Sequence, residues 1–119
     1  MIIALWIVTG LLALLFVMAG SMKALKSREA VLANMPWVEE VNAGQLKTIG
    51  ILEVLGGIGL VLPAATGILP WLTPAAAFAL AVTMAFAVAL HVKRKESFVP
   101  SLVLGLVSIV VGVGWVLLG

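Results

Sequence analysis

The sequence predicts an all-α fold, an integral membrane bundle of four helices forming a single domain over residues 1–119. Two observations carry this reading. The 119 residues are 64% hydrophobic and only 10% charged, with a mean hydropathy of +1.30, far outside the range of a soluble domain of this size. The charges also cluster, which leaves four nearly uncharged stretches at about 2–22, 46–63, 71–91 and 98–118, each able to cross a hydrocarbon layer of about 30 Å. Water cannot satisfy backbone groups there, and the alternating ten-residue segments of a lipid-facing barrel are missing, so the spans are read as helices.

The first span contains "VMAGS", small residues that could suit a signal-peptide cleavage site. No Lys or Arg precedes its apolar run, however, and the run continues to full transmembrane length, so it is read as a helix. The long connector that follows, Lys23 to Gln45, is predicted to be a bent amphipathic segment. Ser27 is placed to cap a short helix, Val31, Met35 and Val38 recur at spacings of four and three, and the Met35–Pro36 step breaks the run. With Trp37 at headgroup level, this segment is expected to lie on the cytoplasmic interface or dip into the mouth of the bundle. A plain surface loop packed on the helix ends is the alternative.

The second span, "KTIGILEVLGGIGLVLP", carries an acid where lipid-facing helices are apolar. Glu53 lies six residues past Lys47, about 9 Å along a helix, within one leaflet. A carboxylate at the centre of a membrane helix costs about 2.5 to 3.5 kcal/mol on insertion scales. Glu53 is therefore expected to face the interior and find a partner or take up a proton. Gly50, Gly56 and Gly57 share its face and would let a neighbouring backbone approach closely.

"PAATGILPWLTP" holds Pro63, Gly67, Pro70 and Pro74 and no charge, so a tight turn is predicted, with the third helix starting at Thr73 and Pro74. In that helix Thr83, Ala87 and His91 recur every four residues and could face inward. "HVKRKE" reads as a short basic turn. In the fourth span Ser101, Gly105, Ser108 and Gly112 form a small-residue stripe like that of the second span, and the two spans are expected to touch or share a neighbour. Trp6, Trp71 and Trp115 read as an aromatic belt.

Alternate crossings put the first and third connectors on one side. They carry Lys23, Lys26, Arg28 and Lys47, and Lys93, Arg94 and Lys95, which are all 7 cations of the chain. The positive-inside rule makes that side cytoplasmic and puts both termini outside, in a cell (inner) membrane.

The chain has no cysteine, which removes disulfides, thiol relays and thiolate metal or iron–sulfur ligation, and a single histidine argues against a metal or haem centre. No cofactor or metal site is expected, and a net charge of +2 is too small and local for nucleic acid. At the depth of Glu53 other helices offer only Lys23 and His91, since Lys47 lies on another face of the same helix. Lys23, Glu53 and His91 are thus the candidate ligand-binding residues, expected as one polar cluster near the cytoplasmic mouth. The plainer reading is that Lys23 and His91 snorkel and Glu53 is a packing acid.

"GSMKAL", "IGILEVLGGIGLVLP", "TGILPWLTPAAAFAL" and "HVKRKE" together resemble the DoxX-like family of small four-helix bacterial membrane proteins, from about Gly20 to Glu96. DoxX itself is named as the small membrane subunit of an archaeal thiosulfate:quinone oxidoreductase. The resemblance therefore implies at most an accessory subunit, with Lys23, Glu53 and His91 as its polar positions. The expected function is a non-catalytic or accessory membrane protein whose pocket holds a quinone head, a lipid head or a small metabolite. A small proton-coupled transporter using Glu53, or a purely structural subunit meeting a second copy or a membrane partner, are the alternatives. One-sided cations, and a glutamate in the second span rather than the first, set the chain apart from small multidrug-resistance transporters.

Overall fold

The computed structural model describes residues 1–118. Their helices are α1 (Ile2–Leu25), α2 (Arg28–Asn34), a 3-10 turn (Pro36–Glu40), α3 (Ala43–Thr66), α4 (Leu72–Lys93) and α5 (Val99–Leu118). Among these, α1, α3, α4 and α5 are long and apolar enough to cross a membrane, as the charge pattern requires. All seven cations lie at the end of the bundle where α1 and α4 finish and α3 begins, called here the basic end. The opposite, proline end carries the turn between α3 and α4.

The second span is longer than its hydropathy suggests, and both extensions have local causes. At its start Asn42 and Gln45 cap one another's backbone N–H groups, which lets the helix begin at Ala43. At its end the helix passes through Pro63, where the sequence pattern places its stop. Pro63 has no N–H to give, and the next N–H, of Ala64, donates to Thr73 Oγ1 of α4 at 3.1 Å, so a neighbouring hydroxyl supports the helix at this turn. Gly67, at φ 71°, closes the helix in the left-handed conformation that favours glycine, its N–H bonded to the Pro63 carbonyl.

The four spans pack as two tight pairs. Between α1 and α3, Gly20 and Gly50 stack backbone on backbone; a Cβ built on either would lie 2.5 Å from the other's carbonyl oxygen. About two turns further, a Cβ on Gly57 would meet the Ala13 carbonyl at 3.0 Å. Between α4 and α5, Gly105 faces Met84 and Gly112 faces the Phe78 ring. Glycine thus serves as the close-approach residue in both pairs, since packing rather than hydrophobicity holds helices together in lipid. The second and fourth spans share α1 and α4 as neighbours and sit across the bundle from one another.

The pairs join toward the proline end. Leu12, Phe16, Leu60, Ala77, Leu80, Met84 and Val111 form the core, Gly56 receives Leu80, and Gly114 receives Leu5. Trp115 turns partly inward. Its Nε1 donates to Thr9 Oγ1 at 2.9 Å and its ring meets Trp6 edge-on at 4.9 Å, while Trp71 stays exposed at the turn.

The connector is a bent amphipathic segment seated on the basic end. Ser27 caps α2 by accepting from the Ala30 N–H, and Met35 and Pro36 turn the chain into the 3-10 segment. Val31, Val38 and Leu46 are fully buried as a second small core. Arg28 ties the two halves, donating to the carbonyls of Val41 at 2.9 Å and Val38 at 3.3 Å. Trp37 points into the bundle mouth.

The pairing makes a specific prediction. Gly50→Ala should force α1 and α3 apart and lower stability in detergent by about 1 to 3 kcal/mol, the range for overpacking. Gly10→Ala, where the added methyl meets nothing within 4 Å, should leave the melting temperature unchanged or slightly raised. Equal melting of both variants would contradict the packing described.

Candidate ligand-binding site

The close approach of Gly20 to Gly50 determines what the basic end can hold. It brings the last turn of α1 against α3, so that Lys23, packed on Gly50, reaches Glu53 one turn along. Lys23 Nζ donates to Glu53 Oε1 at 2.6 Å. Glu53 is 2% exposed, and the Lys23 side chain is 10% exposed. An ion pair so far removed from water stands only where both partners are held in place, and here the glycine contact holds both backbones. Lys23 Nζ also lies 5.4 Å from the centre of the Trp37 ring, a cation–π contact from the connector.

Beside this pair the helix pairs part, leaving a cavity of about 670 Å³. Phe16, Ala19 and Lys23 form its α1 wall, Glu53 its α3 wall, Thr83, Ala87 and His91 its α4 wall, and Ser101 and Leu104 its α5 wall, with Met35 and Trp37 above. The lining is mostly apolar with a few polar groups, the composition of small-molecule sites. Among the described residues Glu53 makes one hydrogen bond, through Oε1. No fully enclosed side-chain N or O lacks a partner, so its other oxygen borders the cavity as an open acceptor. No group of three His, Asp or Glu side chains converges among the described residues as metal ligands would.

His91 lines the same cavity but does not join the Lys23–Glu53 pair. Its Nδ1 lies 3.3 Å from Glu96 Oε1, and its ring meets Trp37 edge-on at 6.5 Å. The expected three-residue cluster is instead two polar centres separated by an indole. The cause is the turn after α4. Lys95 adopts φ 57° and the Glu96 N–H bonds back to the His91 carbonyl at 2.9 Å, so an acid five residues away reaches the ring before Glu53 does.

Arg94 has a structural part that the sequence reading did not assign. It donates to Glu96 at 3.0 Å and to Glu40 at 2.9 Å, with Glu39 at 3.7 Å, and so fastens the connector to the turn between α4 and α5. The hydrogen bond to Glu96 is the main cause that raises the Arg94 guanidinium above its ordinary value. For Glu96, partial burial acts to raise the carboxyl, but hydrogen bonds from Arg94 and His91 and their charges outweigh it and hold it below the ordinary carboxylate value. A carboxyl lowered in the folded state stabilises above its unfolded value and loses that contribution as pH falls through the folded one.

The latch can be tested at the connector. Arg94→Gln should speed hydrogen–deuterium exchange of the amides in 28–41 at neutral pH. The parent should show the same loosening, after correction for intrinsic exchange, only when the pH drops below the ordinary carboxylate range of about 4. Connector exchange insensitive to both would show that Arg94 fastens nothing.

No curated protein and no solved structure matches the chain. A family model does match, over residues 7–116, a stretch that takes in the connector, Lys23, Glu53, His91 and almost all of the four spans. By that match the chain belongs to the DoxX-like family.

Proposed function

We propose that the chain is a non-catalytic or accessory membrane protein that holds the head group of a quinone or lipid beside the Lys23–Glu53 pair, with the basic end on the cytoplasmic side. The observation that carries this reading is the cavity itself. Its volume of about 670 Å³ lies within the range of sites for drug-sized molecules. A buried ion pair with an open carboxylate oxygen stands in its wall, where a structural pair would be fully enclosed. The pairing of Glu53 with Lys23 at 2.6 Å favours binding over proton-coupled transport, since the acid already has a cation partner. The gathering of all seven cations at one end supports an inner-membrane orientation with both termini outside the cytoplasm. A second copy or a partner subunit would meet the lipid-facing surfaces of the bundle.

Extraction in native-lipid discs, followed by mass spectrometry of the bound small molecules, tests this function. The parent should retain a quinone or lipid enriched over the bulk membrane. Ala87→Trp, which fills the cavity from α4, should lose it while keeping the parent's helical content and a cooperative melting transition. Equal retention by a folded Ala87→Trp would place the ligand elsewhere and remove the proposal.

A further inference from the structure

We infer that the cavity takes an uncharged head bearing a hydroxyl or carbonyl, and that its ligand's tail leaves sideways into the bilayer, so that the occupant is a neutral amphiphile dissolved in the membrane. This rests on the ligand-binding reading above and narrows it.

The charge of the site selects the head. Lys23 and Glu53 are nearly excluded from solvent and engage one another at 2.6 Å, so their formal charges cancel. Arg94 does not line the cavity and is occupied by Glu40 and Glu96. Of the other cations, Lys26, Lys47, Lys93 and Lys95 are exposed, Arg28 is bonded to the carbonyls of Val38 and Val41, and none of the five lines the cavity. A phosphate placed in the cavity would shed its water beside the Glu53 and Glu96 carboxylates and meet no uncommitted cation, since His91, which also lines the cavity, is engaged by Glu96, and this is the costly form of charge burial. A cationic head would meet Lys23 in the same way. A hydroxyl suits the pair, because it can donate to the open Glu53 oxygen and accept from a further Lys23 N–H. A carbonyl uses the second of these contacts alone.

The exit for the tail is built from the splaying of the pairs. Leu15 on α1 and Phe86 on α4 both line the cavity, yet they are 51% and 74% exposed on helices that cross the membrane. Their outer surfaces face lipid, so the cavity is continuous with the hydrocarbon at the basic end. On the aqueous side Trp37 covers it, held by a connector that Arg28 stitches and Arg94 fastens. An apolar chain attached to a head at Glu53 therefore finds lipid along its length beyond Leu15 or Phe86.

The test uses the parent protein in discs of dioleoylphosphatidylcholine and reads the rise in melting midpoint, since a ligand that binds only the folded state raises it. Four probes are compared at matched mole fraction: decylubiquinone, the same ring without its tail, dioleoylglycerol and dioleoylphosphatidic acid. Decylubiquinone or dioleoylglycerol should raise the midpoint, and whichever acts identifies the natural source of the head. Phosphatidic acid and the tailless ring should act at least about tenfold more weakly. Phosphatidic acid equal to the neutral probes would overturn the uncharged head, and a tailless ring equal to decylubiquinone would overturn the sideways tail; either result leaves the ligand-binding reading standing. No response to any probe would remove both. Glu53→Gln leaves Lys23 as an unpaired cation, and should reverse the preference so that phosphatidic acid becomes the stronger probe. The double variant Lys23→Gln/Glu53→Gln should keep the neutral preference. Should Glu53→Gln fail to fold, the order of the probes on the parent decides.

Discussion

The ion pair between Lys23 and Glu53 is the interaction around which the basic end is organised, and it joins the chain's worst liability to its remedy. A glutamate within a membrane span costs several kcal/mol if left alone. Its cation comes from the last turn of the preceding span, 30 residues earlier. The two meet because Gly20 and Gly50 remove the Cβ atoms that would hold α1 and α3 apart. Glycines that look like lost apolar surface therefore bring the two charges together. The same meeting leaves one carboxylate oxygen open to the cavity while cancelling the charge, so stability and the selectivity proposed for the site have one origin.

The rest of the molecule divides its labour between its ends. At the proline end, Thr73 supports α3 at the Pro63 turn and Trp115 donates to Thr9, so polar contacts across the pairs lock the bundle. At the basic end such contacts run through the connector, and between the helix pairs there is space. The cavity is thus a result of fastening at one end only. Its roof depends on charges that lie outside the four long helices, above all Arg94 with Glu40 and Glu96. That places the Arg94 contacts at the mouth and the Lys23–Glu53 pair deeper in the bundle.

Much of this was legible in the sequence, for a physical reason. Hydrocarbon permits few backbone solutions, so hydropathy alone yields four helices, and the cost of a buried acid points Glu53 inward toward Lys23. The small-residue faces of α3 and α5 were also readable, although pattern alone could not say that these helices lie across the bundle and share neighbours. What was hidden depends on tertiary partners or on competition. The helix continues past Pro63 because Thr73 lies nearby in space. His91 pairs with Glu96 because the turn geometry at Lys95 favours a local acid. Arg94 and Glu40 are 54 residues apart, and in a basic turn the arginine looked like one more charge of the positive-inside signal. Nothing in the spacing around Trp37 shows the cation beneath its ring.

The most direct measurement is a double-mutant cycle on Lys23→Gln and Glu53→Gln, with unfolding free energies read in bicelles. If the pair is the constraint described, the single changes should each be costly, the double change should recover much of the loss, and the coupling energy should approach the upper part of the usual range of about 0.5 to 3 kcal/mol. A coupling energy indistinguishable from zero, with the two losses simply adding, would mean that Lys23 and Glu53 are stabilised independently, and would contradict this account of the basic end.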